Sequence, residues 1–345
     1  MKVRRVLIAV AFAAGCAFAA KAESAMPSVG PGANGVRYAT DAYPGFDDTD
    51  EMTKPERKEP RWFSFINGPN RPNAREQLAY CTELLQDEDF KKASKQLDAL
   101  VREWPTSEEA PKAQQALAEV LLNQLQDYEE AFAEYRYLLD FYSLHCDYEK
   151  MADMLYQVAG ILKTEGKEVM FIRFANTVDV RRAYETCVLR APGAKWVPEA
   201  MLIIGALRED EGRHGEAIKV YENLRNLYPD TAEAKTALAR EADDRMKVLG
   251  EHEYNRSRCR DTIDFLKLAL TTCNPSDADR MREYLGTAQE MIEREDYLGA
   301  KFYDSPTRTR RSAIRAYERF LDEHPAGERA EDVRGRLEEL KGEEK

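Results

Sequence analysis

The feature that most constrains the fold is a residue pattern that recurs along the chain. A small residue is followed at +4 and +7 by aromatic or aliphatic residues and at +12, in most copies, by proline. The defining residues are Ala93, Trp104, Pro105, Ala131, Tyr135, Ala217, Tyr221, Pro229, Ala313, Tyr317 and Pro325. Positions four and seven apart share one face of a helix, and proline cannot continue a helix. The pattern therefore predicts the same type of helix at four places, with weaker copies ending at Pro192 and Pro275.

Another helix is predicted before each copy of this pattern. Apolar residues at helical spacing place these first helices at 75–85, 110–125, 150–164 and 198–208. Gly205 lies twelve residues before Ala217, where a small residue allows two helices to approach closely. The spacing resembles that of tetratricopeptide repeats. It predicts an all-α fold, an α-solenoid of five to six tetratricopeptide-like helix pairs over residues 73–340.

The first 22 residues have the composition of an export signal. Lys2, Arg4 and Arg5 precede a short apolar run at 6–20. Two processing routes stay open, because the run Ala-Ala-Gly-Cys that ends at Cys16 resembles a bacterial lipobox, whereas Ala-Lys-Ala at 20–22 suits ordinary cleavage. Cys16 is therefore the candidate lipid attachment site in the first route and is removed in the second. Both routes predict export, and a lipid would anchor the chain to a membrane without spanning it.

Residues 23–72 are dense in proline and glycine, and no helical or strand period survives there. This predicts a disordered, extended tether ahead of the repeats. Within it, Trp-Phe-Ser-Phe at 62–65 is expected to dock on the first helices, with a partner-binding anchor as the alternative. Residues 341–345 are predicted to form a charged tail.

Composition and motifs argue against several classes of function. The net charge of −12 repels phosphate backbones, so we expect no nucleic-acid partner. Only the export segment is apolar enough to enter a bilayer, which excludes a polytopic membrane protein. The cluster at 145–147 (His-Cys-Asp) is expected to be a loop, and the acidic run at 209–211 a solvated turn. We therefore predict no catalytic, cofactor-binding or metal-binding residues.

Binding is then the function that remains. In tetratricopeptide repeats the first helix of each pair faces the groove of the solenoid. The candidate peptide-groove residues are Arg75, Thr82, Gln86, Asn123 and Gln124. Amide side chains both donate and accept hydrogen bonds, which suits a sequence-tolerant contact with an extended backbone. Ordinary solvated surface residues are the alternative for each of them.

The export segment, the repeat ends and the last repeat together resemble the BamD (YfiO-type) family of outer-membrane assembly lipoproteins. The last repeat carries Ala-Lys-Phe-Tyr at 300–303 and ends at His324-Pro325, and the resemblance covers residues 73–340. It implies a non-catalytic scaffold at the periplasmic face of the outer membrane. It also implies that the C-terminal repeats contact the barrel-forming subunit and the N-terminal repeats contact unfolded outer-membrane protein precursors.

Two other functions are kept as alternatives. One is an exported repeat adaptor for cell-division or peptidoglycan proteins, since one repeat fold serves many partners. The other is an exported hydrolase, which requires two carboxylates facing each other across a cleft, with the pKa of one of them raised.

Overall fold

The computed structural model describes residues 43–46, 56–58, 68–168, 177–251, 255–305 and 309–342. Within these ranges we number thirteen α-helices in chain order. They are α1 (Ala74–Gln86), α2 (Phe90–Glu103), α3 (Ala110–Val120), α4 (Tyr128–Tyr142), α5 (Tyr148–Glu168), α6 (Thr177–Arg190), α7 (Val197–Asp210), α8 (His214–Leu227), α9 (Ala232–Glu251), α10 (Arg256–Thr272), α11 (Ala278–Tyr303), α12 (Arg310–Glu323) and α13 (Ala330–Gly342). A π-helical turn (Leu121–Leu125) follows α3, and a 3-10 turn (Ser143–His145) follows α4.

The helices form six consecutive pairs, from α1/α2 to α11/α12, followed by α13. Every helix packs against the next one along the chain, and the first helices α7 and α9, and α9 and α11, also touch. In a solenoid each repeat contacts mainly its neighbours, and this contact pattern has that form. The predicted all-α stack of tetratricopeptide-like helix pairs is confirmed.

Helix ends follow from local chemistry. Asp89 precedes α2, and its side chain accepts a hydrogen bond from the backbone N–H of Lys92, which is the contact of a helix N-cap. The helix ends at Glu103, and Pro105 stands two residues later, where continuation of the helix is blocked. Pro229 has the same relation to the end of α8.

The residues of the repeat pattern lie where helices meet. The buried members are Ala93, Ala131, Tyr135, Ala217, Tyr221, Ala313 and Tyr317. Tyrosines at repeat ends also join one repeat to the next. The Tyr142 hydroxyl donates to the Pro105 carbonyl at 2.8 Å, and the Tyr228 hydroxyl donates to the Pro192 carbonyl at 3.0 Å. Both bonds satisfy a carbonyl in the turn that follows the preceding repeat.

The hydrophobic core is continuous through the first four pairs and divided beyond them. One cluster runs from Cys81 in α1 to Ala237 in α9. Beyond it lie three smaller clusters, which include Leu266, Cys259 and Tyr317 respectively. Because the free energy of burial scales with apolar area, we expect the C-terminal half to open more readily than the N-terminal half.

Two described stretches of the N-terminal segment lie against the solenoid. In the Tyr43 turn (residues 43–46), the Phe46 N–H donates to the Tyr43 carbonyl at 3.1 Å, and Gly45 has a φ of +93°. Arg208 of α7 donates to the Gly45 carbonyl at 2.6 Å, and the Tyr43 side chain is buried. The second stretch, 56–58, contacts α2 and α4. The rest of the predicted tether up to residue 67, with the export segment and the aromatic run at 62–65, falls outside the described residues.

Candidate peptide-binding surface

Three of the candidate groove residues form a stripe along α1. Arg75, Thr82 and Gln86 are all exposed. Separations of seven and eleven residues bring side chains back to within about 20° of the same direction on a helix. The Thr82 hydroxyl donates to the Leu78 carbonyl at 2.9 Å, one turn earlier in α1. Arg75 and Gln86 mark the two ends of this polar stripe.

The other two candidates, Asn123 and Gln124, lie in the π-helical turn after α3. Both are exposed, and the Asn123 amide donates to the Glu119 carbonyl at 3.0 Å. Gln126 then reverses the chain with a φ of +55°, in the left-handed region. Because α1 and α3 both pack on α2, the two groups of candidates flank the same helix. Their part in binding stays a prediction.

The π-helical turn was not foreseen, because the residues 121–125 continue an apolar helical spacing in sequence. A π turn widens the helix by one residue and is frequently found at functional sites. Here the turn contains Asn123 and Gln124 and lies between the end of α3 and the start of α4.

Sequence reasoning also missed an acidic pocket between α2 and α4, formed by Asp98 and Glu134. Lys58 Nζ lies 2.9 Å from Asp98 Oδ1 and 2.5 Å from Glu134 Oε1. The centre of the Tyr137 ring is 5.3 Å from the same ammonium. Lys58 lies in a proline-rich segment that shows no helical or strand periodicity, so the sequence gives no indication of this contact.

The acidic run at 209–211 is not the solvated turn that the sequence suggested. Glu209 accepts a hydrogen bond from the Tyr221 hydroxyl at 2.5 Å and pairs with Arg240 at 3.0 Å. Glu211 pairs with Arg181 of α6 at 2.9 Å. Their partners lie 12 to 31 residues away along the chain. The run therefore holds neighbouring helices together, and only Asp210 between the two is exposed.

Buried charges continue from Glu211 into the interface between the third and fourth pairs. Arg181 and Arg208 are fully buried and converge on Glu185, at 2.8 Å and 3.2 Å. A buried charge is costly unless it is paired, and each of these has a partner of opposite sign. The network fixes α6 against α7.

The cluster at 145–147 is a connection between helices, as the sequence suggested. His145 is exposed, and the Cys146 thiol contacts the Ser143 carbonyl at 3.9 Å. Asp147 accepts from the backbone N–H of Lys150 at 3.2 Å, which is the contact of a helix N-cap. Burial, aided by Asp147, raises the pKa of the Cys146 thiol to about 11.

A different group of possible metal ligands, Asp296, Glu323 and His324, meets near the end of α12. Their ligand atoms lie within 4.8 Å of one another, beside a cleft of about 910 Å³ between α10 and α11. Arg256 of α10 pairs with both carboxylates, and His324 Nε2 lies 2.8 Å from Asp296 Oδ2. The guanidinium already supplies the positive charge that a cation would bring, so the group acts as an ion-pair cluster between helices.

These features define a helical-repeat protein whose exposed helix faces and pockets are suited to contact with other polypeptides. Comparison with protein families agrees with this class. The tetratricopeptide-repeat family model matches residues 199–231, the region that contains most of α7, all of α8 and Pro229. In the part of the chain that the structure describes, no helix is both long and apolar enough to cross a membrane.

Among solved structures, the chain is similar to a tetratricopeptide repeat protein from Parabacteroides merdae. The two are 14% identical, and the match covers 77% of this chain and 98% of the other. A TM-score of 0.28 is too low for the overlay to support an argument about shape or function. No curated protein matches the chain.

Proposed function

We propose that this chain is a non-catalytic, exported scaffold of the machinery that inserts β-barrel proteins into the bacterial outer membrane. It acts at the periplasmic face of that membrane, where its C-terminal repeats bind the barrel-forming subunit and its N-terminal repeats bind unfolded precursors. Tetratricopeptide-like stacks are typically scaffolds for protein–protein contact, which supports the general class. The family resemblance of residues 73–340 supports the particular partners.

The observation that carries the proposal is the distribution of exposed apolar side chains. Among the described residues, the exposed large apolar side chains are Leu144, Leu227, Leu268, Leu298, Phe302 and Tyr303. Four of these six belong to α10 and α11. Three of them, Leu298, Phe302 and Tyr303, lie together at the end of α11, and exposed apolar groups that cluster in this way mark sites of protein contact. The C-terminal repeats are therefore favoured as the main docking surface.

Within that surface, Leu298 and Phe302 are four residues apart and lie on one face of α11. Their exposed fractions are 46% and 58%, whereas Ala300 between them is buried. Covering such side chains stabilises a complex by roughly 25 cal/mol for each Å² removed from water. This pair is our choice for the centre of the contact with the barrel-forming subunit.

The proposal is tested by site-specific photocrosslinking in the native envelope, followed by mass spectrometry. The crosslinker is placed at position 298, and the matched control places it at Leu144, an exposed leucine in the 3-10 turn of the second repeat. We expect the barrel-forming subunit to be captured from position 298 and not from position 144. Capture of cell-division or peptidoglycan proteins from position 298 would replace the proposal with the adaptor alternative.

The precursor contact has its own test on the polar stripe of α1. Full-length protein with Thr82→Ala and Gln86→Ala is compared with Glu83→Ala, an exposed residue about 100° from Thr82 and about 60° from Gln86 on the same helix. Binding of an unfolded outer-membrane protein segment is measured by fluorescence anisotropy. We expect the double variant to bind more weakly and the control to bind as the unchanged protein does. Equal binding by all three proteins would remove the stripe from the site.

A further inference from the structure

The acidic pocket between α2 and α4 is positioned by the solenoid itself. Asp98 Oδ2 accepts from Arg102 Nε at 2.8 Å, one turn along α2. Glu134 is nearly fully buried, and it accepts from the side-chain amide of Gln114 in α3. Both carboxylates are therefore held in place by neighbours that belong to the helical stack. Lys58, which they share, comes from outside that stack.

The two carboxylates of the pocket share one cation. Asp98 and Glu134 are both largely withdrawn from water, and they converge on a single point, the Lys58 ammonium. Burial and the charge of Glu134 raise the pKa of Glu130, which lies one turn earlier in α4. For Asp98, burial acts in the same direction, but Lys58 and Arg102 outweigh it and hold the pKa below its ordinary value. Two buried carboxylates without a shared cation are unfavourable.

The bound segment is recognised by more than one contact. Residues 56–58 have no regular secondary structure, and the Lys58 backbone N–H lies 3.4 Å from the Tyr137 hydroxyl. The guanidinium of Arg57 lies over the Phe141 ring at 4.7 Å from its centre. A cation over an aromatic face is attracted by the ring electrons. The helices α2 and α4 thus contact the side chains of Arg57 and Lys58 and the backbone amide of Lys58.

We propose that this pocket is a binding site for an extended peptide segment that carries two successive basic residues, and that Lys58 occupies it as an intramolecular competitor. The ligand in trans is a lysine-containing segment of a partner protein. Lys58 stands sixteen positions before α1 begins at Ala74, so the internal ligand is present at an effective concentration on the order of millimolar. A partner segment enters only when it is presented at a comparable local concentration or when the N-terminal segment is drawn away. The proposal does not depend on the partners named above.

The test uses the full-length chain and a labelled synthetic peptide with the sequence of residues 52–62. Lys58→Ala in the protein removes the internal ammonium from the two carboxylates and alters no residue of the solenoid. We expect the peptide to bind this variant at least about tenfold more tightly than the unchanged protein, because the internal competitor is gone. Equal affinity for the two proteins would overturn the proposal.

Matched controls separate recognition of the lysine from general attraction between charges. A peptide with its Lys58→Ala is expected to lose binding, whereas a peptide with Lys54→Ala, which loses the same charge, is expected to retain it. The protein variant Lys58→Ala with Asp98→Asn should also lose binding, with its helix content verified by circular dichroism. Equal binding of the two altered peptides would show charge attraction alone and overturn the proposal.

A measurement on the unaltered protein covers the case in which a variant misfolds. Brief acetylation followed by mass spectrometry compares Lys58 with Lys91, an exposed lysine of α2. We expect Lys58 to react at least about tenfold more slowly, since its ammonium is shared by two carboxylates. Addition of excess unlabelled peptide should raise the Lys58 rate and leave the Lys91 rate unchanged. A Lys58 rate equal to that of Lys91 would contradict occupancy of the pocket.

Discussion

The ring of Tyr221 lies directly against Gly205, so that a Cβ on Gly205 would come 2.2 Å from Tyr221 Cε1 and 2.5 Å from Cζ. No side chain tolerates such a contact without movement of the ring. The same ring donates its hydroxyl to Glu209 at the end of α7. The distance between α7 and α8 is therefore set by the contact between Gly205, which has only a hydrogen atom as its side chain, and the ring of Tyr221.

Replacement of Gly205 by alanine is expected to destabilise the fourth pair. The methyl group must displace the Tyr221 ring, and overpacking of this kind costs about 1–3 kcal/mol. Chemical denaturation of the variant and the unchanged protein measures the difference. The control is Gly286→Ala in α11, where nothing lies within 4 Å of the new methyl group. That change should stabilise by about 0.5–1 kcal/mol, because alanine loses less backbone entropy in a helix.

The tyrosine bonds between repeats provide a second prediction. Tyr142→Phe removes the donor to the Pro105 carbonyl, and Tyr228→Phe removes the donor to the Pro192 carbonyl. Each change is expected to lower the free energy of unfolding by about 1 kcal/mol, since a partly buried acceptor loses its partner. Thermal denaturation of both variants measures the loss. Tyr128→Phe is the control, and a loss of equal size there would show that the hydroxyl bonds are not responsible.

A third prediction concerns pH. Burial, with help from the charge of Glu209, raises the pKa of Asp244 to about 6, although Lys247 and His214 act in the opposite direction. An unfolded aspartate titrates near pH 4, so between about pH 4 and pH 6 the folded chain holds a proton that the unfolded chain has released. The stability contributed by this carboxyl is therefore present at low pH and falls as pH rises through that range.

The measurement is denaturant unfolding at several pH values for the unchanged protein and for Asp244→Asn. We expect the difference in the free energy of unfolding between the two proteins to change by up to about 3 kcal/mol between pH 4 and pH 6. The unchanged protein becomes less stable relative to Asp244→Asn as pH rises. Asp210→Asn, an exposed carboxyl on α7, serves as the control. A difference that stays constant over this range would mean that Asp244 titrates normally.

The Tyr43 turn yields a fourth prediction. Gly45 combines a φ of +93° with a position where a Cβ would come 2.8 Å from Val220 Cγ2 and 2.9 Å from the Glu216 carbonyl oxygen. Gly45→Ala should therefore release the turn from α8 and expose Tyr43. Hydrogen exchange of the peptide that covers residues 43–46 measures the release. Gly193→Ala, where nothing lies within 4 Å, should leave this exchange unchanged.

The helix pairs could be predicted because their signals are local. Ala217 and Tyr221 are four residues apart, and Pro229 follows eight residues later. The buried face of α8 and the point where it ends can therefore be predicted from one short stretch of sequence. The partners of Glu209 and Glu211 are not local, and Arg240 and Arg181 lie some 30 residues away. Nothing in a single sequence states which distant arginine a glutamate meets.

Much of the candidate surface stays beyond such prediction for the same reason. The exposure of Arg75 and Gln86 follows from the helical period, so their side of α1 could be foreseen. The pocket of Asp98 and Glu134 depends on Lys58, which lies 40 and 76 residues away in a segment without periodicity. The pocket forms only where the N-terminal segment packs against α2 and α4, and residue spacing does not predict that long-range contact.

The two anchors of the N-terminal segment change how the stack is expected to unfold. A row of repeats that touch only their neighbours behaves as a one-dimensional system, in which one end can fray without effect on the other. Here the Tyr43 turn joins the fourth repeat, and Lys58 joins the first and second, within a single stretch of sixteen residues. If the repeat that holds one of these anchors unfolds, the N-terminal segment is released there, and its contact at the other anchor is weakened. The first four repeats are thereby linked into one cooperative folding unit, with the fifth and sixth left to open by themselves.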